Sequence, residues 1–261
     1  MTSPVATKAV ERDPAMDAPG GAPTDIRSLD AGRGDERPTR WSPGALIILL
    51  VATNVVLNRV IPDWAYLPSF IVAGAAALLI AHRGGASMTD LGLGRGAAGR
   101  SALVGLAAGT VAALLIFTNL GVPAFDGLYE DSRADGLGVA GLVYHAVIRI
   151  PLGTALGEEI LFRGALLGVL LTTSRRWTAI ALSALLFGFW HVLPTISVQT
   201  ANESLSSLPM WAVIPGGVVS TALVGVVFAW MRIRTRHLAA PVIFHAMVNA
   251  SALIAAYIST G

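Results

Sequence analysis

Two adjacent carboxylates, Glu158 and Glu159, stand inside an otherwise apolar stretch, Gly157-Glu158-Glu159-Ile160-Leu161-Phe162-Arg163. Beyond residue 41 the chain has nine acidic residues, and the other seven (Asp63, Asp90, Asp126, Glu130, Asp131, Asp135 and Glu203) fall in connections between apolar runs. A charge at the centre of a membrane helix costs about 2.5–3.5 kcal/mol on insertion scales, so the pair needs a reason. Glu159 precedes Arg163 by four residues, which lets the two share a helical face and pair. Glu158 is rotated about 100° away on a 3.6-residue helix and is left without its own cation, the state that suits a general base. The plainer alternative is that both acids only hold neighbouring helices together.

Two further spans carry polar groups. Phe187-Gly188-Phe189-Trp190-His191 ends in an imidazole with Phe187 one turn earlier on the same face, although His191 alone could be an interfacial residue beside Trp190. In His245-Ala246-Met247-Val248-Asn249 the four-residue spacing puts an imidazole and a carboxamide on one face, which could equally fasten that helix to a neighbour. Together these residues meet the needs of water-mediated amide hydrolysis. Glu158 is expected to activate water, His191 to orient or polarise it, and His245 with Asn249 to stabilise the oxyanion. No cofactor is expected. Zinc stays open as an alternative, because Glu158, His191 and His245 form a His2Glu set, but there is no HExxH motif and Asn249 is a poor zinc ligand.

The elements that position these groups must lie in a bilayer. Of 261 residues 54% are hydrophobic and 13% charged, with a mean hydropathy of +0.67, against the roughly one-quarter charged residues of soluble domains. Apolar runs at 43–59, 65–82, 101–121, 137–172, 177–195, 210–231 and 238–258 approach the length needed to cross a ~30 Å hydrocarbon core. The expected fold is an all-α membrane bundle of about seven transmembrane spans over 42–258, preceded by a disordered cytoplasmic tail, 1–41. The fourth run is long for one span, and Pro151 with Gly153 predicts a kink.

Arginines set the expected orientation, because cytoplasmic connections carry the excess of basic residues. Arg33, Arg37 and Arg40 precede span one, Arg83, Arg95 and Arg100 lie between spans two and three, Arg175 and Arg176 follow span four, and Arg232, Arg234 and Arg236 follow span six. The alternate connections hold Arg59 with Asp63, the acidic segment 130–135, and a loop, 196–209, without Arg or Lys. This predicts a cytoplasmic N-terminus. Trp41, Trp64, Trp177, Trp190, Trp211 and Trp230 all fall near inferred span ends, as interfacial tryptophans do. The arginine placement also explains the pI of about 9.4 without nucleic acid as a partner. With no cysteine, a disulfide, a thiolate nucleophile and an iron–sulfur cluster are excluded. Counted from the inferred inner span ends, Glu158 and His191 come out ~20 Å deep and His245 only ~10 Å, so tilt or a kink must bring them together. The site is expected around one water-filled cavity on the cytoplasmic side.

The motifs Glu158-Glu159-x-x-x-Arg163, Phe187-x-x-x-His191 and His245-x-x-x-Asn249, in that order on successive spans, resemble those of the CAAX protease and bacteriocin-processing (CPBP) family, which includes CAAX prenyl protease type 2-like and lysostaphin resistance protein A-like proteins. The resemblance covers about 137–258, and Asp90-Leu91-Gly92-Leu93 is similar to a family connection. It implies an intramembrane endopeptidase of the plasma membrane of bacteria, embedded in lipid and acting on membrane-protein or peptide substrates. By it Glu158 is the base, Glu159 and Arg163 a supporting pair, His191 the water partner, and His245 and Asn249 the oxyanion donors. The competing classes are a non-catalytic membrane immunity or partner-regulating protein of the same fold, a zinc-dependent membrane protease, and a transporter using the same polar cluster.

Overall fold

A computed structural model describes residues 42–123, 127, 129, 134 and 136–260; the expected tail 1–41, with Trp41, lies outside them. Among the described residues the regular structure is entirely helical: α1 Ser42–Arg59, α2 Tyr66–Arg83, α3 Ala98–Asn119, α4 Val139–Thr173, α5 Arg176–Trp190, α6 Val192–Ala201, α7 Met210–Thr235 and α8 Ala239–Thr260. With α5 and α6 taken as one segment, seven helical segments are long and apolar enough to span a membrane. Ile48, Val72, Leu103, Val111 and Leu223 point outward, where lipid accepts them and the helices keep their backbone polar groups bonded internally.

Hydrophobic burial cannot drive helix against helix in lipid, so small residues set the close approaches. A Cβ on Gly109 would lie 2.5 Å from Met247 Sδ, and one on Gly105 would lie 2.5 Å from Ala240 O, which presses α3 onto α8. Gly188 meets Val218 O in the same way and joins α5 to α7. Beside the paired acids, a Cβ on Gly157 would come within 2.3 Å of the Phe70 ring, so only glycine lets α2 pass α4 there.

Helix α4 is continuous for 35 residues. Its acids sit on a short α-helical stretch, Leu156–Glu159, between two π-helical runs, His145–Ala155 with Pro151 inside and Ile160–Leu166. Proline, which has no N–H, sits where the i→i+5 pattern has already replaced the regular ladder, and such π segments are frequent at functional sites.

Two expectations change. The segment 196–209 is not an open loop: α6 continues the fifth span to Ala201, and Glu203–Ser206 forms one further turn. Its hydroxyls make the sequence look loop-like, but Ser197 and Thr200 bond back to the helix's own carbonyls, and Asn202 Oδ1 caps Leu205 N at 2.7 Å. Trp190 consequently lies inside a 26-residue span, not at its end, and is buried at 6% exposure, whereas Trp64, Trp177, Trp211 and Trp230 are exposed as expected.

Candidate active site

Glu158, Phe187, His191, His245 and Asn249 line one cavity of about 780 Å³, together with Tyr66, Arg149, Thr154 and Phe228. The sequence-predicted set is therefore brought together from α4, α5, α8 and the α5–α6 junction. The depth mismatch between His245 and Glu158 disappears: His245 Nε2 lies 3.9 Å from Glu158 Oε2.

Each carboxylate has a distinct setting. Glu159 is fully buried, and its Oε1 receives Arg163 Nη1 at 3.1 Å and faces His245 Nδ1 at 3.1 Å. Arg163, also fully buried, donates from Nη2 to Gly225 O at 3.2 Å, and its guanidinium lies 4.0 Å from the Phe187 ring centroid and 4.9 Å from that of Phe228. Three aromatic or carbonyl faces and one carboxylate thus replace water around the cation. Glu158 is 4% exposed; its Oε1 accepts a hydrogen bond from Trp190 Nε1 at 3.1 Å, and its Oε2 has no hydrogen-bond partner among the described residues.

His191 occupies the break between α5 and α6, with φ −84° and ψ 2° in the bridge region common at active sites. Its Nδ1 lies 2.8 Å from Phe187 O. A carbonyl can only accept, so Nδ1 carries a proton and, in the neutral ring, Nε2 presents a lone pair. That Nε2 is 4.0 Å from Glu158 Oε2, too far for a direct hydrogen bond. A water about 2.8 Å from both atoms would be held at an angle of roughly 90°. Asn249 faces the same space, and its carboxamide forms no hydrogen bond among the described residues.

Among the described residues no group of three or more His, Asp or Glu side chains stands in metal-binding geometry. The two imidazole-to-Glu158 separations, 3.9 and 4.0 Å, exceed the ~3.4 Å between ligands of a tetrahedral zinc with bonds of about 2.1 Å. The donor types nevertheless suit zinc, since both rings have Nδ1 oriented by an acceptor and Nε2 turned toward Glu158.

Several polar residues around this cavity escape the sequence reading. Trp190 is the donor to Glu158, and Asn54 of α1 in turn bonds Trp190 O at 2.9 Å. Tyr66 OH meets Thr154 Oγ1 at 3.1 Å, and Arg149 lies 4.2 Å over the Tyr66 ring and 3.6 Å from Asp63. The available signal was the same for Asn54, His145 and Arg149: a polar side chain in an apolar run.

Asn58, Pro62 and Asp63, at the α1–α2 connection, line the cavity together with Arg149 of α4. In an alternating bundle that end is opposite the basic connections. Toward the basic end the site is sealed by Arg163 and by Leu161–Leu170 of α4, all buried.

Residues 140–251 match the family described as type II CAAX prenyl endopeptidase Rce1-like. No curated protein and no solved structure matches the chain. The matched stretch begins in α4, ends in α8, and contains Glu158, Glu159, Arg163, Phe187, His191, His245 and Asn249. Over residues 140–251, this multi-pass membrane chain is similar to the type II CAAX prenyl endopeptidase Rce1-like family.

Proposed function

We propose that the chain is an intramembrane endopeptidase in which Glu158 activates water for attack on a peptide bond of a membrane-associated substrate. The observation that carries this reading is Glu158 Oε2, buried, without a hydrogen-bond partner among the described residues, and facing His191 Nε2 and His245 Nε2 across 4.0 and 3.9 Å. A water between Glu158 Oε2 and His191 Nε2 gives its proton to the carboxylate as its oxygen attacks the scissile carbonyl. The new C–O bond places negative charge on the former carbonyl oxygen, which His245 Nε2–H and the Asn249 amide stabilise. Collapse of that intermediate breaks the C–N bond, and the proton held by Glu158 passes to the departing amine.

Donation from His245 Nε2 requires the ring to carry both protons, because Nδ1 already faces Glu159. Glu159 is then the counter-ion of two cations, Arg163 and the imidazolium. Trp190 holds the other Glu158 oxygen, so the attacking edge of the carboxylate stays turned to the cavity.

Purified Glu158→Gln tests this directly. The variant is expected to lose roughly 10²–10⁴-fold in peptide cleavage, the usual contribution of a positioned general base, while keeping its thermal midpoint. Cleavage at the normal rate by a folded Glu158→Gln protein would reject the mechanism.

The zinc reading is favoured by one observation, the orientation of both Nε2 atoms toward Glu158. Glu158, His191 and His245 would hold the ion, which would supply Lewis-acid activation of water. Loss of activity on tight chelation, restored by zinc, would select it; activity that survives chelation selects glutamate alone.

A further inference from the structure

Arg149 stands in the cavity of the candidate active site and has no part in the hydrolytic steps. Among the described residues lining that cavity it is the only lysine or arginine. A cation within a membrane-spanning helix is costly unless something compensates it, and the two arginines of α4 are compensated differently. Arg163 is fully buried against Glu159 at 3.1 Å, Gly225 O and two aromatic rings. Arg149 keeps 26% of its side chain exposed and donates no hydrogen bond among the described residues. Its anion is Asp63, 3.6 Å away on a fully exposed side chain. That separation is beyond a hydrogen bond, and an exposed pair of this kind contributes little.

The guanidinium is nonetheless held in place. It lies 4.2 Å from the centroid of the Tyr66 ring. Tyr66 is fixed in turn by its hydroxyl, 3.1 Å from Thr154 Oγ1, and by an edge-to-face contact with Phe70 at 5.1 Å between centroids. The ring covers one side of the planar cation and leaves its N–H groups free for a carboxylate, which such a fork receives in two parallel hydrogen bonds.

Spacing alone separates this residue from Glu158. Nine residues make two and a half turns of a regular α-helix, which puts positions 149 and 158 on opposite faces. The π-helical run His145–Ala155 bonds i to i+5 and so winds less per residue. Arg149 and Glu158 consequently line the same cavity, no more than about 14 Å apart along the axis of α4.

We infer that Arg149 is a specificity-determining residue that binds a carboxylate of the substrate, from an acidic side chain or a free chain terminus, in exchange for Asp63. At about 3.3 Å per residue of extended chain, that carboxylate lies within about four residues of the bond that Glu158 addresses. The spacing to a scissile bond rests on the hydrolytic reading, whereas the anion site does not.

Binding is read by fluorescence anisotropy in full-length Glu158→Gln protein in an uncharged detergent, so that turnover does not intervene. The probes are Ala-Leu hexapeptides capped at the N-terminus with an uncharged dye: the C-terminal amide, the free acid, and the amide with one internal glutamate. A carboxylate form is expected to bind roughly 10-fold tighter than the plain amide, the lower end for a charge-assisted hydrogen bond. The form that gains identifies a chain terminus or a side chain as the source. Adding Arg149→Gln should remove the difference, and Arg149→Lys should keep part of it. Adding Asp63→Asn, at an exposed side chain, should tighten the carboxylate form roughly 2–5-fold, a gain that a folding defect cannot produce. Equal binding of all three forms, a preference that survives Arg149→Gln, or no gain from Asp63→Asn overturns the assignment.

Cleavage of the preferred form is then compared in proteins that retain Glu158. There Arg149→Gln should raise KM roughly 10-fold with kcat little changed, the mark of lost binding that is equal in ground and transition states. If the carboxylate preference holds but no form is cleaved in a Glu158-dependent way, the hydrolytic reading falls while Arg149 stands as an anion site.

Discussion

His245 Nδ1 and Glu159 Oε1 lie 3.1 Å apart, and the same oxygen receives Arg163 Nη1 at 3.1 Å. One buried carboxylate thus fixes a helix-eight imidazole and a helix-four guanidinium at once. The arrangement separates the tasks of the adjacent acids. Glu158 turns its Oε2 to the cavity opposite His191 and His245, whereas Glu159 faces inward and sets which nitrogen of His245 is turned to the cavity.

Glu159→Gln should therefore impair turnover without touching substrate. The amide can still accept from Arg163 or His245, but it no longer balances their charge. We expect kcat to fall roughly 10–100-fold, as for loss of a group that orients a ligating or catalytic histidine, with KM little changed and the pH–rate profile displaced. Stability should also fall by about 3–5 kcal/mol, because Arg163 is left as an unbalanced buried charge. Pairing the change with Arg163→Met should recover the thermal midpoint but not the rate. Recovery of both would make the pair purely structural.

Trp190→Phe isolates one hydrogen bond. The ring stays to pack against Phe162, whose centroid is 5.4 Å away, while the donor to Glu158 Oε1 disappears. Hydrogen bonds to charged groups contribute about 1.5–3 kcal/mol, so kcat should drop roughly 10–100-fold with KM nearly constant. An unchanged kcat would show that the indole does not hold the carboxylate.

The seven spans are legible in sequence because run length against bilayer thickness is itself the signal, and Glu158, Glu159 and Arg163 stand out by the cost of burying their charge. Trp190 is hidden for the opposite reason: an indole is mostly apolar, its single N–H has no pattern, and a span apparently ending at 195 places it at the interface. Helix α6 is obscured because Ser197 and Thr200 count as polar while bonding to their own backbone. The sealed side of Glu158 follows from Arg163 meeting Phe187, Phe228 and Gly225 across three helices, which no local window contains.

His237 gives a pH-dependent term outside the spans. Its Nδ1 accepts from Ala239 N at 3.0 Å at the start of α8, so the contact needs a neutral ring. Burial first, and then the nearby Arg232, lower its pKa from 6.5. A lowered folded-state pKa supplies stability that is present above pH 6.5 and is lost as pH falls through the lowered value. The thermal midpoint in detergent should drop on going from about pH 8 to about pH 5, and His237→Asn, an acceptor that does not titrate, should lessen that drop by roughly 2 °C. An identical drop in both proteins would mean that the contact contributes nothing.

Asn249 distinguishes an oxyanion donor from a helix contact. Its carboxamide lines the cavity without a hydrogen bond to the described protein, so removing it leaves no buried partner stranded. Asn249→Ala should keep the thermal midpoint within about 0.5 kcal/mol of stability and reduce kcat by roughly 10²–10³-fold, the range for one lost oxyanion donor. Asn249→Asp should be worse than alanine, because an ionised carboxylate of nearly the same shape places a negative charge where negative charge develops. If aspartate instead matched asparagine in kcat, the group at 249 would have no part in stabilising the tetrahedral intermediate, and His245 would carry that task alone.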